Sequence, residues 1–256
     1  MTGREGRTTA SSWSDTAMND AGSIALSAQL ALLRQTDVIA NNLANLSTTG
    51  FKGQHVLFSE YLGQAADGTP ESFVQDIGTI RDPSQGSITQ TGNPLDIAIQ
   101  GGGYLAVDTP LGQRFTRNGH FQLDTDGQIV TSQGYPVLSD SGSPLTVPQG
   151  SGEITIGVDG NVTTPQGVIG RLQVVTFDND QALTPTANGL FSTDQTPQPA
   201  TNAKVVQGAL EGSNVQPIIE ITHLIAVQRG VEYAKDFTDT QSSMTSTAID
   251  RLGKTL

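Results

Sequence analysis

The chain has 256 residues, only 15% of them charged, a net charge of −12 and no cysteine. That length holds a real hydrophobic core in one large or two modest domains. Its Lys and Arg are scattered singly, which excludes the clustered cations of a nucleic-acid binder, and the missing cysteines exclude disulfides, thiol chemistry and thiolate metal sites.

Residues 1–17 are polar and aperiodic, a composition that predicts disorder. No run of apolar residues approaches the roughly 20 needed to cross a bilayer, so no membrane insertion is expected. Met1 to Asp20 has no continuous apolar stretch of the kind a cleaved signal peptide carries. From Ser23 to about Leu46 apolar residues recur at helical spacing, with Ile24, Ala28, Ala31, Leu32, Ile39 and Leu43 on one stripe and Leu26, Leu30 and Leu33 on a second. So wide an apolar arc needs partners on more than one side. The pattern stops at Ser47-Thr48-Thr49-Gly50, where short polar side chains compete for backbone hydrogen bonds and a glycine can take a left-handed conformation.

Residues 53–91 are broken by glycine and proline, with Phe58, Tyr61 and Phe73 as isolated anchors, and read as an extended connector with short strands. Loops of that length are usually functional or interfacial. The region 92–208 switches to alternation: Leu95 to Ile99, Tyr104 to Val107, Phe115 to Phe121, Ile129-Val130, Ile154 to Ile156 and one long strand, Val168 to Phe177. Asn118-Gly119, Asp126-Gly127 and Asp159-Gly160 fall between them as hairpin turns. No helical segment interrupts to build parallel crossovers, so the β-domain is mostly antiparallel. In 209–256 the helical period returns, with Ile218, Ile221 and Ile225 on one stripe and Leu224, Val227, Val231, Ala234, Phe237, Met244, Ala248 and Leu252 on another. Pro217 fits only a first turn, which places the helix start near Ser213 to Gln216. The fold class is α+β.

Catalytic and ligand chemistry finds no footing. His55, His120 and His223 stand apart, without the spacing of a metal site. Asp124-Thr125-Asp126-Gly127 resembles the start of a calcium loop, but Ile129 and Tyr135 occupy the positions of its turn glycine and bidentate glutamate. Gly253-Lys254-Thr255 resembles the end of a phosphate loop, with Ala248 where its first glycine belongs. Gly101-Gly102-Gly103 precedes a strand instead of opening a helix, which makes it a bend for close packing and not a dinucleotide fingerprint. No catalytic, cofactor or metal residue is assigned, and the chain is expected not to be an enzyme.

Four motifs then stand out. Asn42-Leu43-Ala44-Asn45 with Ser47-Thr48-Thr49-Gly50-Phe51-Lys52 closes the first helix; Thr91 to Gly101 and Phe115 to Phe121 lie in the β region; Leu210-Glu211-Gly212-Ser213-Asn214-Val215 precedes the second helix. Together they resemble the signatures of the bacterial flagellar rod and hook protein family from about Met18 to Leu256. Pro94 before Leu95-Asp96 and the modest length are most similar to the proximal-rod type, with the distal-rod type as the alternative. The resemblance implies a structural subunit for motility, exported unfolded by the flagellar type III export apparatus and stacked with itself and other rod proteins into the axial rod that crosses the periplasm. It implies that the two terminal helices form a coiled-coil stem carrying the β-domain. Asn42, Leu43, Asn45, Thr48, Thr49, Gly50, Phe51 and Lys52 would then form a turn that redirects the chain and offers amides to a neighbouring subunit, with Phe51 as an anchor. Glu211, Ser213, Asn214, Val215, Ile225 and Arg229 are the matching candidates at the C-terminal end, Arg229 pairing with Glu232 or with a neighbour's carboxylate. On local physics alone the first motif simply ends a helix and Arg229 sits on a solvated face. A functional reading of another class, a secreted β-rich surface- or carbohydrate-binding module, rests on the polar β region.

Overall fold

A computed structural model describes the backbone of residues 9–64 and 70–253, and the side chains of residues 25–59, 77–247 and 250–251. Residues 1–8, the tail from Lys254, and the side chains of Ile24, Tyr61, Phe73, Ala248 and Leu252 lie outside the described residues. The chain divides into two compact units.

The first unit holds α1 (Thr9–Ala44) as far as Leu43, the segment 54–80, and α2 (Pro217–Gly253) from Ile218 onward. The start of α1 at Thr9 lies within the segment expected to be disordered. Thr9 to Ala17 contains neither glycine nor proline, so nothing stops a helix nucleated downstream from propagating through it. Ala25, Ile39 and Asn42 are buried on α1, while Leu26, Leu30 and Leu33, the second stripe, stay exposed. On α2 Val227 and Glu220 are buried, and Gly230 leaves room for the Leu32 methyls, which a Cβ there would meet at 3.2 Å. Ile218, Ile221, Ile225, Phe237 and Met244 remain exposed. Pro217 is the first residue of α2, where its missing N–H is not needed.

The expected connector contains two long strands, Gln54–Gln64 and Pro70–Arg81, paired in their own sheet. Gly53 and Pro83 lie outside the pair and Pro70 takes a first-strand position where proline is tolerated, while Gly63 and Gly78 are carried inside the strands.

The second unit comprises 44–53 and 81–217. Its largest sheet has six strands in the order Thr184–Pro185, Leu190–Ser192, Gly112–Thr116, Tyr104–Thr109, Val174–Thr176 and Gln198–Pro199, all pairs antiparallel. The strand Tyr104–Thr109 is buried on both faces, because successive side chains point to opposite sides. Leu105 and Val107 join a core with Ile97, Phe121, Ile129, Val162 and Leu172; Tyr104 and Ala106 join a second with Phe115, Phe177 and Phe191. Smaller antiparallel pairs complete the unit, among them Ile97–Gln100 with Lys204–Gln207 and Ile88–Gln90 with Ala209–Glu211.

Two expectations need correction. The run from Val168 to Phe177 is not one strand: Gly167–Arg171 joins a three-stranded sheet and Val174–Thr176 the six-stranded one. Leu172, 2% exposed, sits at the break, where its side chain enters the core and its N–H donates to Gly160 O at 2.8 Å. Asn118-Gly119 is not a left-handed hairpin turn. Gly119 keeps an ordinary φ, and glycine is required because any Cβ would overlap the carbonyl of Ile97, whose N–H donates to Gly119 O at 2.9 Å.

Candidate functional site

Two of the sequence motifs, 159 positions apart, converge on one buried carboxylate. Ile88–Gln90 and Ala209–Glu211 pair with Ile88 opposite Glu211, and this alternation turns Ala209 and Glu211 inward while Leu210 is only half-buried. Glu211 is 1% exposed. Its Oε1 accepts from Lys52 Nζ at 2.6 Å and from the Gly86 N–H at 3.1 Å; its Oε2 accepts from Arg117 Nε at 2.6 Å. Its backbone carbonyl accepts from the Gly50 N–H at 2.8 Å. A single residue thus holds the N-terminal turn through both side chain and main chain.

The two cations are equally constrained. Lys52 Nζ also donates to Ser84 O at 2.7 Å. Arg117 spends its remaining N–H groups on backbone carbonyls, with Nη1 on Gly103 O and Nη2 on Ile99 O and Gly101 O. The glycine run therefore makes a bend, as its sequence suggests, and the bend turns carbonyl oxygens onto a guanidinium. Burial pushes the Lys52 ammonium below its ordinary range, against the pull of Glu211. Charges this deeply buried persist only when paired and fully hydrogen-bonded, which is the state found here.

Gly50 makes the approach possible. Its φ of 69° is left-handed, and a Cβ would lie 2.6 Å from both C and O of Arg117. Gly86 allows a similar approach, since a Cβ there would overlap Gly212 O, while Gly212 N–H donates to Ser87 O at 2.8 Å.

Asn214 closes the other side. Its Oδ1 accepts from Gly53 N–H at 2.7 Å, its Nδ2 donates to Asp82 O and Ser84 O at 3.1 Å, and its N–H donates to Phe51 O at 3.3 Å. Truncating Asn214 to alanine strands the buried Gly53 amide. The expected loss is about 1–3 kcal/mol, read as faster hydrogen exchange at Gly53 in Asn214→Ala than in the unaltered chain.

The remaining candidates distribute as follows. Thr48 closes the turn, with Oγ1 donating to Asn45 Oδ1 at 3.0 Å and its N–H to Asn45 O at 3.2 Å. Phe51 and Thr49 are half-buried, and Ser213 Oγ accepts from Val215 N–H at 3.3 Å. Asn42 and Leu43 belong to the helical unit, where Asn42 Nδ2 donates to Gln54 O at 2.8 Å and Oδ1 accepts from Gln54 N–H at 2.9 Å. Ile225 and Arg229 lie on exposed α2 and are not part of the cluster. The amides of Asn42 and Asn214 thus hydrogen-bond this chain's own backbone.

Arg117, Ser84 and Gly86 were not among the candidates. Arg117 carried a usable signal: it is a lone cation inside the Phe115 to Phe121 motif of a chain poor in Lys and Arg. Its partner, so far off in sequence, had no local mark. Among the described residues no three His, Asp or Glu side chains gather as a metal site, and nothing in the cluster pairs a nucleophile with a base. Its chemistry is that of a fastening.

Three family models match the chain: the flagella basal body rod protein over 23–52, the flagellar hook protein FlgE/F/G D1 domain over 98–164, and the flagellar basal body rod FlgEFG protein C-terminal region over 206–251. Lys52 and Glu211 fall in the first and third. A Caulobacter vibrioides protein named flagellar basal-body rod protein FlgF is 39% identical over 93% of this chain and 99% of its own length. A FlgF of Mesorhizobium japonicum is 35% identical over 92% and 99%. A Bacillus subtilis protein named flagellar basal-body rod protein FlgG is 34% identical over 77% and 85%.

Proposed function

This chain belongs to the flagellar basal-body rod protein family and is a structural subunit of the rod, not an enzyme; we propose that it polymerises through the exposed faces of its terminal helices. The observation that carries this reading is the apolar surface of α2. Ile218 is 81% exposed and Phe237 53%, with Ile221, Ile225 and Met244 exposed along the same 37-residue helix. An apolar surface of this extent on a helix marks a place where another protein packs. The exposed Leu26, Leu30 and Leu33 give α1 a similar surface. At a rise of about 1.5 Å per residue α2 is roughly 55 Å long, enough to span several neighbours in a coiled-coil stem.

The lock around Glu211 supports a division of labour in which the β unit folds as one body while the helices engage neighbours. Copies of this chain and other rod proteins are the partners, and the flagellar type III export apparatus delivers the chain to the rod in the periplasm. Coverage favours the proximal, FlgF-like position over the distal, FlgG-like one, since FlgF relatives align along almost their whole length.

The test is a triple substitution of exposed residues, Ile218→Ser, Ile225→Ser and Phe237→Ser. Each site is solvent-exposed, so the purified chain should keep its stability to within about 0.5 kcal/mol per site. Cells carrying it should lose motility and the chain should be missing from isolated basal bodies. Normal motility with the triple variant would sink the proposal.

A further inference from the structure

Each terminal helix packs with one side and leaves another bare. At about 100° per residue, Leu26, Leu30 and Leu33 fall on one side of α1, well round from Ala25, Leu32 and Ile39. Ala25 and Ile39 are buried and Leu32 lies against Gly230 of α2, whereas the three leucines are exposed. On α2, Ile218, Ile221 and Ile225 are exposed on the side away from Val227 and Gly230. Packing of α1 on α2 within one chain therefore uses other faces, and these two stripes do not cover each other.

The spacing of the two stripes matches in one direction only. Along α1 the leucines step by four residues and then three; along α2 the isoleucines step by three and then four. Laid antiparallel, they meet as three apolar layers, Leu26 with Ile225, Leu30 with Ile221 and Leu33 with Ile218. Such alternating steps are those of knobs-into-holes packing. Laid parallel, the same steps put Leu30 on Ile218, Leu33 on Ile221 and Asp37 on Ile225, and a carboxylate buried against isoleucine is costly. The antiparallel register leaves Asp37 just past Ile218, at the N-terminal end of the facing α2, where the helix dipole favours negative charge. Connectivity demands the same direction. α1 leads into the β unit at Ala44 and α2 leads out of it at Pro217, while Leu32 and Gly230, which are neighbours, each lie about three turns from those ends. The helices thus run antiparallel in one chain, and between copies pointing the same way along a rod they do so again.

We propose that the Leu26, Leu30 and Leu33 stripe of one copy packs antiparallel on the Ile218, Ile221 and Ile225 stripe of a second copy. The inference rests on the reading of the chain as a rod subunit and names which faces meet. A second copy is selected as the occupant because each chain carries both halves of the match and uses neither on itself. Pairing of unlike faces leaves one of each free at the two ends, so copies add head to tail, as a helical rod requires, instead of closing as a two-fold pair.

The chain has no cysteine, which makes disulfide trapping a clean test. Two full-length chains with different tags, one Leu30→Cys and one Ile221→Cys, are expressed together; basal bodies are isolated, oxidised and run on non-reducing gels. A disulfide forms only where Cα atoms come within about 7 Å, and a dimer carrying both tags is necessarily a link between copies. The control pair is Asp37→Cys with Ile225→Cys, which face each other in the parallel register and lie about 16 Å apart along the axis in the antiparallel one. The mixed dimer from the Leu30 and Ile221 pair should exceed that from the control by about tenfold or more. All four sites are exposed, so each purified variant should melt at the same midpoint as the unaltered chain. Cysteine pairs in the other two layers, Leu26 with Ile225 and Leu33 with Ile218, should link as well. A control dimer as abundant as the Leu30 and Ile221 dimer would overturn the proposal. So would the lack of a mixed dimer in all three layers while the unaltered chain is present in basal bodies, a result that leaves the stripes to other rod proteins and the rod reading intact. Absence of the unaltered chain from basal bodies would defeat the rod reading and this packing with it.

Discussion

Replacing Glu211 by alanine should destabilise the β unit by about 3–5 kcal/mol, the usual cost of stripping one partner from a buried ion cluster. The magnitude follows from what is left behind. Lys52 and Arg117 are 8% and 6% exposed, and they would face each other with no carboxylate between them. The Gly86 amide would also lose its acceptor. A stability of 5–15 kcal/mol is normal for a domain, so one substitution would consume much of it. Hydrogen exchange read on the strand Tyr104–Thr109 provides the measurement, since its amides report opening of the unit. A double-mutant cycle sharpens it: Lys52→Met should cost far less in the Glu211→Ala background than alone, because the two residues share one interaction. A loss below about 1 kcal/mol for Glu211→Ala would mean that the cluster behaves as an exposed ion pair.

Gly50→Ala should have the second-largest effect, about 3 kcal/mol, from two separable causes. A left-handed φ costs an ordinary residue roughly 1–2 kcal/mol. The new methyl would also press on the Arg117 backbone at 2.6 Å, and forcing carbon into packed structure typically costs about 1–3 kcal/mol. Gly92 provides the control. Its φ of 75° is also left-handed, but nothing lies within 4 Å of its would-be Cβ. Gly92→Ala should therefore show the backbone cost alone, and Gly50→Ala should exceed it by at least 1 kcal/mol. Asparagine, which tolerates left-handed backbone, should rescue position 92 and fail at position 50. Equal losses at the two sites would remove the close packing of the turn on Arg117 from the account.

The outline of the fold was legible where periodicity is strong. Both terminal helices show in their 3.6-residue apolar spacing, and the alternation from Tyr104 to Val107 marks a strand later found buried on both faces. The segment 53–91 misled because pairing between Gln54–Gln64 and Pro70–Arg81 depends on partners, whereas glycine and proline announce themselves locally. Asn118-Gly119 misled for a related reason: the dipeptide has a strong local turn signal, but here the glycine answers to the approach of Ile97, a tertiary demand. The candidate site was half legible. Gly50, Lys52, Glu211 and Asn214 lie in conspicuous motifs, yet only the register of Ile88–Gln90 against Ala209–Glu211 brings the motifs to one carboxylate. The signature turn also sits with the β unit, which takes in 44–53. A truncation meant to remove only the first helix should accordingly stop at Leu43; removing Lys52 would break the lock as well.

This chain is built into the rod as a structural subunit. The most direct measurement follows the epitope-tagged full chain through basal bodies isolated from cells blocked at successive stages of flagellar assembly. The chain should enter with the first rod-containing structures and remain in every later one, through hook completion. Basal bodies with a finished rod that lack the chain would contradict the account.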